Sequence, residues 1–197
     1  TKLCVSYLMG GRGRSSANEF MFDCASRIVG RPQITTDAHS PYFEAVEQAF
    51  GANADYAMLH KIYASAVDED ARRYGPATCI GCDMKVVSGK PNPRRVSTSH
   101  VERANLTMRM SMRRFTRLTN GFSKKLENHG HALALYFMHY NFCRVHQTLR
   151  VTPAMEAGLA DHVWSIQELM GLLSAEEASP AEPRRSPRIG GLSSEVG

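Results

Sequence analysis

The chain predicts an α/β protein: a mixed sheet with helices packed on it. Three observations carry that prediction. Over the first sixty or so residues the apolar pattern alternates between period 2 and period 3.6, in the order strand, helix, strand, helix, strand. Glycine and proline stand where the period changes. Helix-start signals follow those breaks.

Thr1 to Met9 alternates as a strand does, with Leu3, Val5 and Tyr7 on one side and Lys2, Cys4 and Ser6 on the other. Gly10, Gly11 and Gly13 break it. Ser16-Ala17-Asn18-Glu19 reads as a capping box, so a helix should start there, with Ala17, Phe20, Met21, Cys24, Ala25 and Ile28 at helical period. Gly30 and Pro32 end it. Gln33 to Thr36 reads as a short strand with Asp37 at its carboxyl end. Ser40-Pro41 gives an N-cap and a first-turn proline, and Tyr42, Ala45, Val46, Ala49 and Phe50 face inward up to Gly51. Tyr56 to Tyr63 completes the alternation as a third strand.

Residues 68–95 hold Gly75-Pro76, Gly81, Gly89, Pro91 and Pro93, which predict a long loop with a short strand near Lys85 to Val87. A helix follows from Ser99 to about Leu118. His131 to Asn141 is apolar almost all round and predicts a helix buried on several sides. Thr152-Pro153-Ala154 opens a short helix that Gly158 ends. Ser165-Ile166-Gln167-Glu168 is a second capping box, for a last helix to about Leu173. From Ser174 on, Pro, Ser, Glu, Arg and Gly dominate, which predicts a disordered tail. The expected division is a core over 1–126, a helical extension over 127–173 and a tail over 174–197.

The bulk composition narrows the function classes. Hydrophobic residues at 43% and charged residues at 22% are those of an ordinary globular protein. No apolar run reaches the roughly 20 residues of a membrane span, and no secretory signal opens the chain. Five cysteines, an odd number spread along the sequence, fit a reduced intracellular protein better than a disulfide framework. The formal charge of +5 favours an anionic partner, and Arg103, Arg109, Arg113, Arg114, Arg117, Lys124 and Lys125 concentrate the basic residues in one segment. The chain begins at Thr1 and its first methionine is Met9, which reads as a sequence lacking its natural beginning.

The chemistry concentrates on the helix from Ser99. Glu102, Asn105, Leu106, Arg109 and Arg113 fall along one face, while Val101, Ala104, Met108, Met112 and Phe115 fall on another that can pack inward. A carboxylate can hold a hard metal ion, and arginines can hold phosphates beside it. Asp37 stands where open α/β sheets place functional groups, just past a strand's carboxyl end. Each acid also has a plain structural explanation: Asp37 as a capping group, Glu102 as a carboxylate favoured by the helix dipole. Together they suit two-metal phosphoryl transfer, which calls for a third carboxylate. Cys79-Ile80-Gly81-Cys82 invites a zinc site but lacks a second pair, and a Cys143–His146 nucleophile is the weaker option. Tyr140, Asn141, Arg144 and His146 read either as a hydrogen-bonded helix terminus or as phosphate contacts from Arg144 and His146.

Four stretches carry a family resemblance. They are Thr35-Thr36-Asp37; His100-Val101-Glu102-Arg103-x-Asn105-Leu106-Thr107-Met108-Arg109; Arg114-Phe115-x-Arg117-Leu118-Thr119-Asn120-x-Phe122-Ser123-Lys124-Lys125; and Tyr140-Asn141-Phe142-x-Arg144-x-His146-x-x-Leu149 with Thr152-Pro153-Ala154. Over about Thr1 to Leu173 the chain resembles bacterial insertion-sequence transposases of the subgroup whose glutamate box reads HVERxNLTMR. The resemblance implies a ribonuclease H-like, retroviral-integrase-like core with an Asp, Asp, Glu triad holding two Mg²⁺, Mn²⁺ being able to substitute. It implies that Asp37 is the second Asp and Glu102 the Glu, 102 − 37 = 65 residues apart, with 68–95 as an insertion. Arg109 matches the position that contacts DNA near the scissile phosphate, and Arg103, Arg113, Asn105, Lys124, Lys125, Arg144 and His146 are further expected DNA contacts. DNA, as element ends and target, is the implied partner, with a homo-oligomer for synapsis and a bacterial cytoplasmic, nucleoid-associated location. The family's first Asp lies on a strand just before the Thr-Lys-Leu found here at residues 1–3, and Ala38 stands where the family often has Gly. The expectation is a catalytic-core fragment with its first strand missing and an incomplete metal site, inactive alone. A nuclease of the same fold and a non-catalytic DNA-binding remnant are the alternatives.

Overall fold

The structure is a computed structural model that describes residues 1–63, 79–116 and 120–177. The chain divides into two compact units, Gly10–Arg103 and Thr1–Met9 with the chain from Ala104 onward. Among the described residues no helix is long and apolar enough to cross a membrane.

The first unit is α/β, a three-stranded mixed sheet flanked by helices. Its strands are β1 (Gln33–Asp37), β2 (Asp55–Tyr63) and β3 (Cys79–Ser88), in that order, with β1 parallel and β3 antiparallel to β2. Helices α1 (Arg14–Arg27) and α2 (Pro41–Phe50) pack on one face. Alternation in β1 and β2 sends Ile34, Tyr56 and Met58 to that face, where they meet Ala17, Met21, Ala45 and Val46. Val46 is almost wholly enclosed, a burial that contributes roughly 2 kcal/mol of transfer free energy. A polar contact reaches into this core: Thr36 Oγ1 and Tyr56 Oη lie 2.8 Å apart, and Thr36 Oγ1 donates to Asp37 O at 3.0 Å.

A polar brace holds the far end of the sheet. Asp55 Oδ1 accepts from Arg31 Nη2 at 2.8 Å, from Arg31 Nε at 3.1 Å and from the Lys90 amide at 2.8 Å. The Arg31 guanidinium, then the Lys90 N–H, hold the Asp55 carboxyl below its ordinary value. Gly89 makes the close approach possible. Its φ is +67°, and a Cβ there would run into the Asp55 carboxylate and stand 3.1 Å from the Asp55 Cα. Gln33 acts on the same side: its amide donates to Asn92 O at 3.1 Å and accepts from Asn92 N at 2.9 Å.

The second unit holds most of α3 (Ser99–Ser111), then α4 (Leu126–Met138), which runs on as a π-helical turn over His139–Cys143, then α5 (Pro153–Glu156) and α6 (Ile166–Glu177). The π turn presents Tyr140 and Asn141 to the extended chain start. Asn141 Oδ1 accepts from Cys4 N at 3.0 Å and its Nδ2 donates to Cys4 O at 2.9 Å. Tyr140 Oη donates to Lys2 O at 3.2 Å, and Tyr7 stacks on Phe137 with ring centroids 4.8 Å apart. Phe142 meets Trp164 at 4.6 Å, and Trp164 N donates to Phe142 O.

Several expectations change. Thr1–Met9 is extended but joins no ladder: Lys2 has φ 58°, and the Asn141 amide takes the backbone groups of Cys4 that a neighbouring strand would use. Helix α1 starts two residues before Ser16, with Gly13 at its N-cap, so Ser16 and Glu19 fall inside the helix and form no box. Ser40 is itself helical and makes no side-chain cap. The long loop after residue 68 contains instead a ten-residue strand, β3, although residues 64–78 lie outside the described ones. Helix α3 stops at Ser111, and none of its residues is buried; Met108, Met112 and Phe115 are half-buried, while Val101 and Ala104 are exposed. Helix α4 is one-sided, burying Leu133 and leaving Leu135 64% exposed. Of the expected tail, 174–177 lies in α6 and 178–197 lies outside the described residues.

Candidate functional site

β1 ends on Asp37, which pairs in register with Leu59 of β2. Opposed residues point to the same sheet face, and so do residues two apart on one strand. Asp37, Leu59 and Lys61 therefore share the face opposite α1 and α2. By strand spacing the Asp37 and Lys61 backbones stand about 8 Å apart. Lys61 Nζ reaches Glu102 Oε1, forming an ion pair between residues 41 apart in sequence. Thus the strand-end Asp and the helix-start Glu lie in one unit, and Lys61 ties Glu102 to the sheet face on which Asp37 stands.

Glu102 sits in the first turn of α3, where its amide bonds the Thr98 carbonyl. Thr98 Oγ1 donates to the same oxygen that Lys61 uses, Oε1, at 2.9 Å. The Lys61 hydrogen bond, then the Thr98 hydroxyl, hold the Glu102 carboxyl below its ordinary value, and the bond to Glu102 raises Lys61 in return. Among the described residues Oε2 has no partner. Asp37 is held on one oxygen: its Oδ1 accepts the His39 amide at 3.3 Å. The His39 ring lies 2.9 Å from Arg12 O, which ties the turn after β1 to the start of α1. Burial first, and the Asp37 charge next, raise the Tyr42 phenol, which stays protonated at neutral pH.

The two carboxylates are the right kind of donor for a hard divalent ion. Among the described residues no group of three or more His, Cys, Asp or Glu side chains gathers to hold one. Asp37 and Glu102 each suit Mg²⁺ in kind, and the described residues assemble no complete donor set around either.

Cys79 and Cys82 adjoin this site. A Cys-x-x-Cys on a regular strand would put its thiols on opposite faces. The register shift between Ile62 and Tyr63 lets Cys79 oppose Tyr63 while Cys82 opposes Lys61, so both thiols face the Lys61 side. Desolvation, then the neighbouring Cys79, push the Cys82 thiol up, so it stays protonated at neutral pH.

The remaining candidates belong to the other unit, apart from Arg103 at the end of the first. Asn105 and Arg109 are exposed on α3, and Arg113 is exposed in the short 3-10 turn Arg113–Phe115. Lys124 and Lys125 are both exposed, Lys125 being the residue before α4. Arg144 follows the π turn, half-buried. His146 packs edge-on against Tyr140 at 5.0 Å, with its Nε2 enclosed and without a partner. Burial, then Lys2 and Arg144, lower its pKa, so the ring is neutral. Cys143 is raised by burial and is a protonated thiol. Tyr140 and Asn141 thus act as a hydrogen-bonded helix terminus that grips the chain start.

Lys61 is the site residue that sequence reasoning missed. A lysine on an alternating strand reads as a solvent-facing residue, and nothing local announces a partner 41 residues away. Comparison of the chain with protein-family models, with curated proteins and with solved structures gives no match.

Proposed function

We propose that the chain is the catalytic region of a DNA transposase with a ribonuclease H-like core, acting by metal-dependent phosphoryl transfer on DNA. The observation that carries this reading is that Asp37 and Glu102, the two acids of the HVERxNLTMR-type resemblance, fall in one unit, with Lys61 tying Glu102 to the sheet whose first strand ends on Asp37. Asp37 and Glu102 would hold Mg²⁺, or Mn²⁺ in its place. The ion supplies activation of the attacking water or 3′-hydroxyl and neutralisation of the leaving oxygen. Asp37 keeps its carboxylate fixed by the turn it caps, and Glu102 keeps Oε2 available. Arg109 is the proposed contact near the scissile phosphate. Arg103, Arg113, Asn105, Lys124, Lys125, Arg144 and His146 extend the proposed DNA surface, whose affinity would fall steeply with salt.

The test is a cleavage and strand-transfer assay on paired element ends and target plasmid. It uses a chain extended upstream through the strand on which the family carries its first Asp. Joined product with Mg²⁺, lost in Glu102→Gln, is the expected result. Nicking without joining indicates a nuclease of the same fold. DNA binding with neither indicates the second reading, a non-catalytic DNA-binding protein.

A further inference from the structure

We propose that Cys79 and Cys82 form a redox-active dithiol on β3, which a small-molecule disulfide such as oxidised glutathione converts to a Cys79–Cys82 disulfide in the folded chain. This modification site stands apart from the transposase reading and does not rest on it.

Three observations support it. The first is spacing. Residues three apart on a regular strand stand about 10 Å apart, whereas the Cα atoms of a disulfide lie about 4.4–6.8 Å apart. The register shift closes that gap. Cys79 opposes Tyr63, Gly81 opposes Ile62 and Cys82 opposes Lys61, so Ile80 is an extra residue that bulges from the ladder. The two cysteines therefore oppose residues two apart on β2, a span of about 6.6 Å.

The second is direction. Tyr63 and Lys61 point to one face of the sheet, and the residues opposite them point the same way, so both thiols stand on that face. They lie within hydrogen-bonding reach of each other, and Cys79 Sγ also donates to Gly81 O at 3.3 Å inside the bulge. The third is access. Cys79 and Cys82 are exposed, whereas Cys4, Cys24 and Cys143 are half-buried.

The exchange runs in two steps. One thiol gives its proton to solvent, and the thiolate attacks glutathione disulfide. One S–S bond breaks, a mixed disulfide forms, and one glutathione leaves as a thiolate that takes up a proton. The second thiol, deprotonated in turn, attacks the cysteine sulfur of the mixed disulfide and displaces the other glutathione. Two S–H bonds become one S–S bond, and the two electrons and two protons reduce the oxidant to two glutathiones. The second step is intramolecular, which favours closure over a lasting adduct. Desolvation, then Cys79, push the Cys82 thiol up, so closure is slower at neutral than at alkaline pH. Closure fixes the bulge at the register partner of Lys61, beside the residue that holds Glu102.

The test incubates the 197-residue chain in glutathione buffers of rising disulfide content, folded or unfolded in urea. Samples are quenched in acid, unfolded, alkylated with N-ethylmaleimide and read as tryptic peptides by mass spectrometry. Both cysteines fall on one peptide, residues 74–85. In the folded wild type that peptide is expected unalkylated and two hydrogens lighter, at a lower disulfide content than the urea-unfolded chain needs. Cys4, Cys24 and Cys143 stay alkylated. Cys79→Ser and Cys82→Ser each leave a glutathione adduct on the remaining thiol. Phenylarsine oxide, which takes two neighbouring thiols at once, should bind the wild type about a hundredfold more tightly than either variant. Unaltered melting temperatures show that both variants fold.

A peptide that stays doubly alkylated, or that carries stable glutathione adducts on both cysteines of the folded wild type, overturns the proposal. So does a folded chain that closes no more readily than the unfolded one, or arsenical binding that neither variant weakens. Zinc that co-purifies with the chain and shields both thiols overturns it in favour of a metal site.

Discussion

Glu102 and Glu168 start from the same design and end differently. Each is an acid in the first turn of a helix, α3 or α6. Each receives a hydroxyl from just upstream, Thr98 to Glu102 at 2.9 Å and Ser165 to Glu168 at 2.8 Å. Each meets a basic side chain, Lys61 or His162. Glu168, however, is used on both oxygens. Its Oε2 takes the Ser165 amide at 2.7 Å as well as the hydroxyl, and its Oε1 takes His162 Nε2 at 2.7 Å. Glu102 puts both of its partners on Oε1. The first carboxylate is consumed by a local capping box; the second is held by one edge, with its other oxygen available. A helix-start acid is therefore no functional signal until its lone pairs have been counted.

The most direct way to break this comparison is to neutralise each acid without changing its size. In the chain extended upstream, Glu102→Gln should leave the melting temperature nearly unchanged and cut Mg²⁺-dependent cleavage by about a thousandfold, the scale of losing a metal-holding group. A Glu102→Gln chain that cleaves normally would place Glu102 with Glu168 among structural acids. Next in size is the buried amide of Asn141, committed to backbone at both ends. Asn141→Ala strips two hydrogen bonds from Cys4 and leaves their backbone partners bare, at a cost of about 2–3 kcal/mol, to be read from denaturant unfolding.

How far these roles can be read from sequence depends on whether their causes are local. Helix α2 was legible because Tyr42, Ala45, Val46, Ala49 and Phe50 repeat at helical period between a proline and a glycine with φ 53°. β1 was legible for the same kind of reason, ending one residue later than expected. The two Ser-x-x-Glu motifs are the instructive pair: the one at Ser165 forms its box, while the one at Ser16 is overtaken by a helix that begins at Arg14. A box competes with whatever else can start the helix, and that competition is not written in four residues. β3 was largely missed because Gly75-Pro76, Gly81, Gly89, Pro91 and Pro93 read as a loop and outweighed the alternation of Ile80, Cys82, Met84 and Val86; pairing with the long β2 makes it a strand. Thr1–Met9 alternates and is not a strand, because a side-chain amide took the place of a neighbour. Asp37 and Glu102 could be named from their positions, whereas Lys61 is defined by a tertiary contact alone.

A smaller perturbation sharpens the same contrast from the structural side. Ser165→Ala removes the hydroxyl that accepts from Glu168 N at 3.2 Å and donates to Glu168 Oε2. It should cost about 1 kcal/mol, the usual worth of a cap, and loosen α6 first, as faster hydrogen exchange at Leu169 and the residues after it. Thr98→Ala, its counterpart, should cost less, because Thr98 bonds Glu102 through a side-chain oxygen and spares no buried helix amide.

The smallest effect is a pH dependence that the two sites should not share. The Ser165 amide, then His162, hold Glu168 at about 2 against an ordinary 4.5. Its depressed value means its contribution is complete above 4.5 and is lost as pH falls toward 2. Asp161, whose Oδ1 lies 2.6 Å from His162 Nδ1, and then Glu168, raise His162 above its ordinary 6.5. A raised value works the other way: that contribution is complete below 6.5 and disappears as pH rises through the folded value. Both are present together between about pH 4.5 and 6.5. The start of α6 should therefore be most protected in that window and lose protection on going to pH 8.5. The start of α3 should not change over the same rise. Glu102 is depressed, and Lys61 is raised from 10.5, so their pair stays intact until far more alkaline conditions. Amide exchange at pH 5.5 and 8.5, corrected for intrinsic rates, separates the two. Equal loss of protection at Glu102 and Glu168 would mean that the lysine and histidine pairs are not distinguished by titration, and that His162 is a bystander to the capping box rather than a member of it.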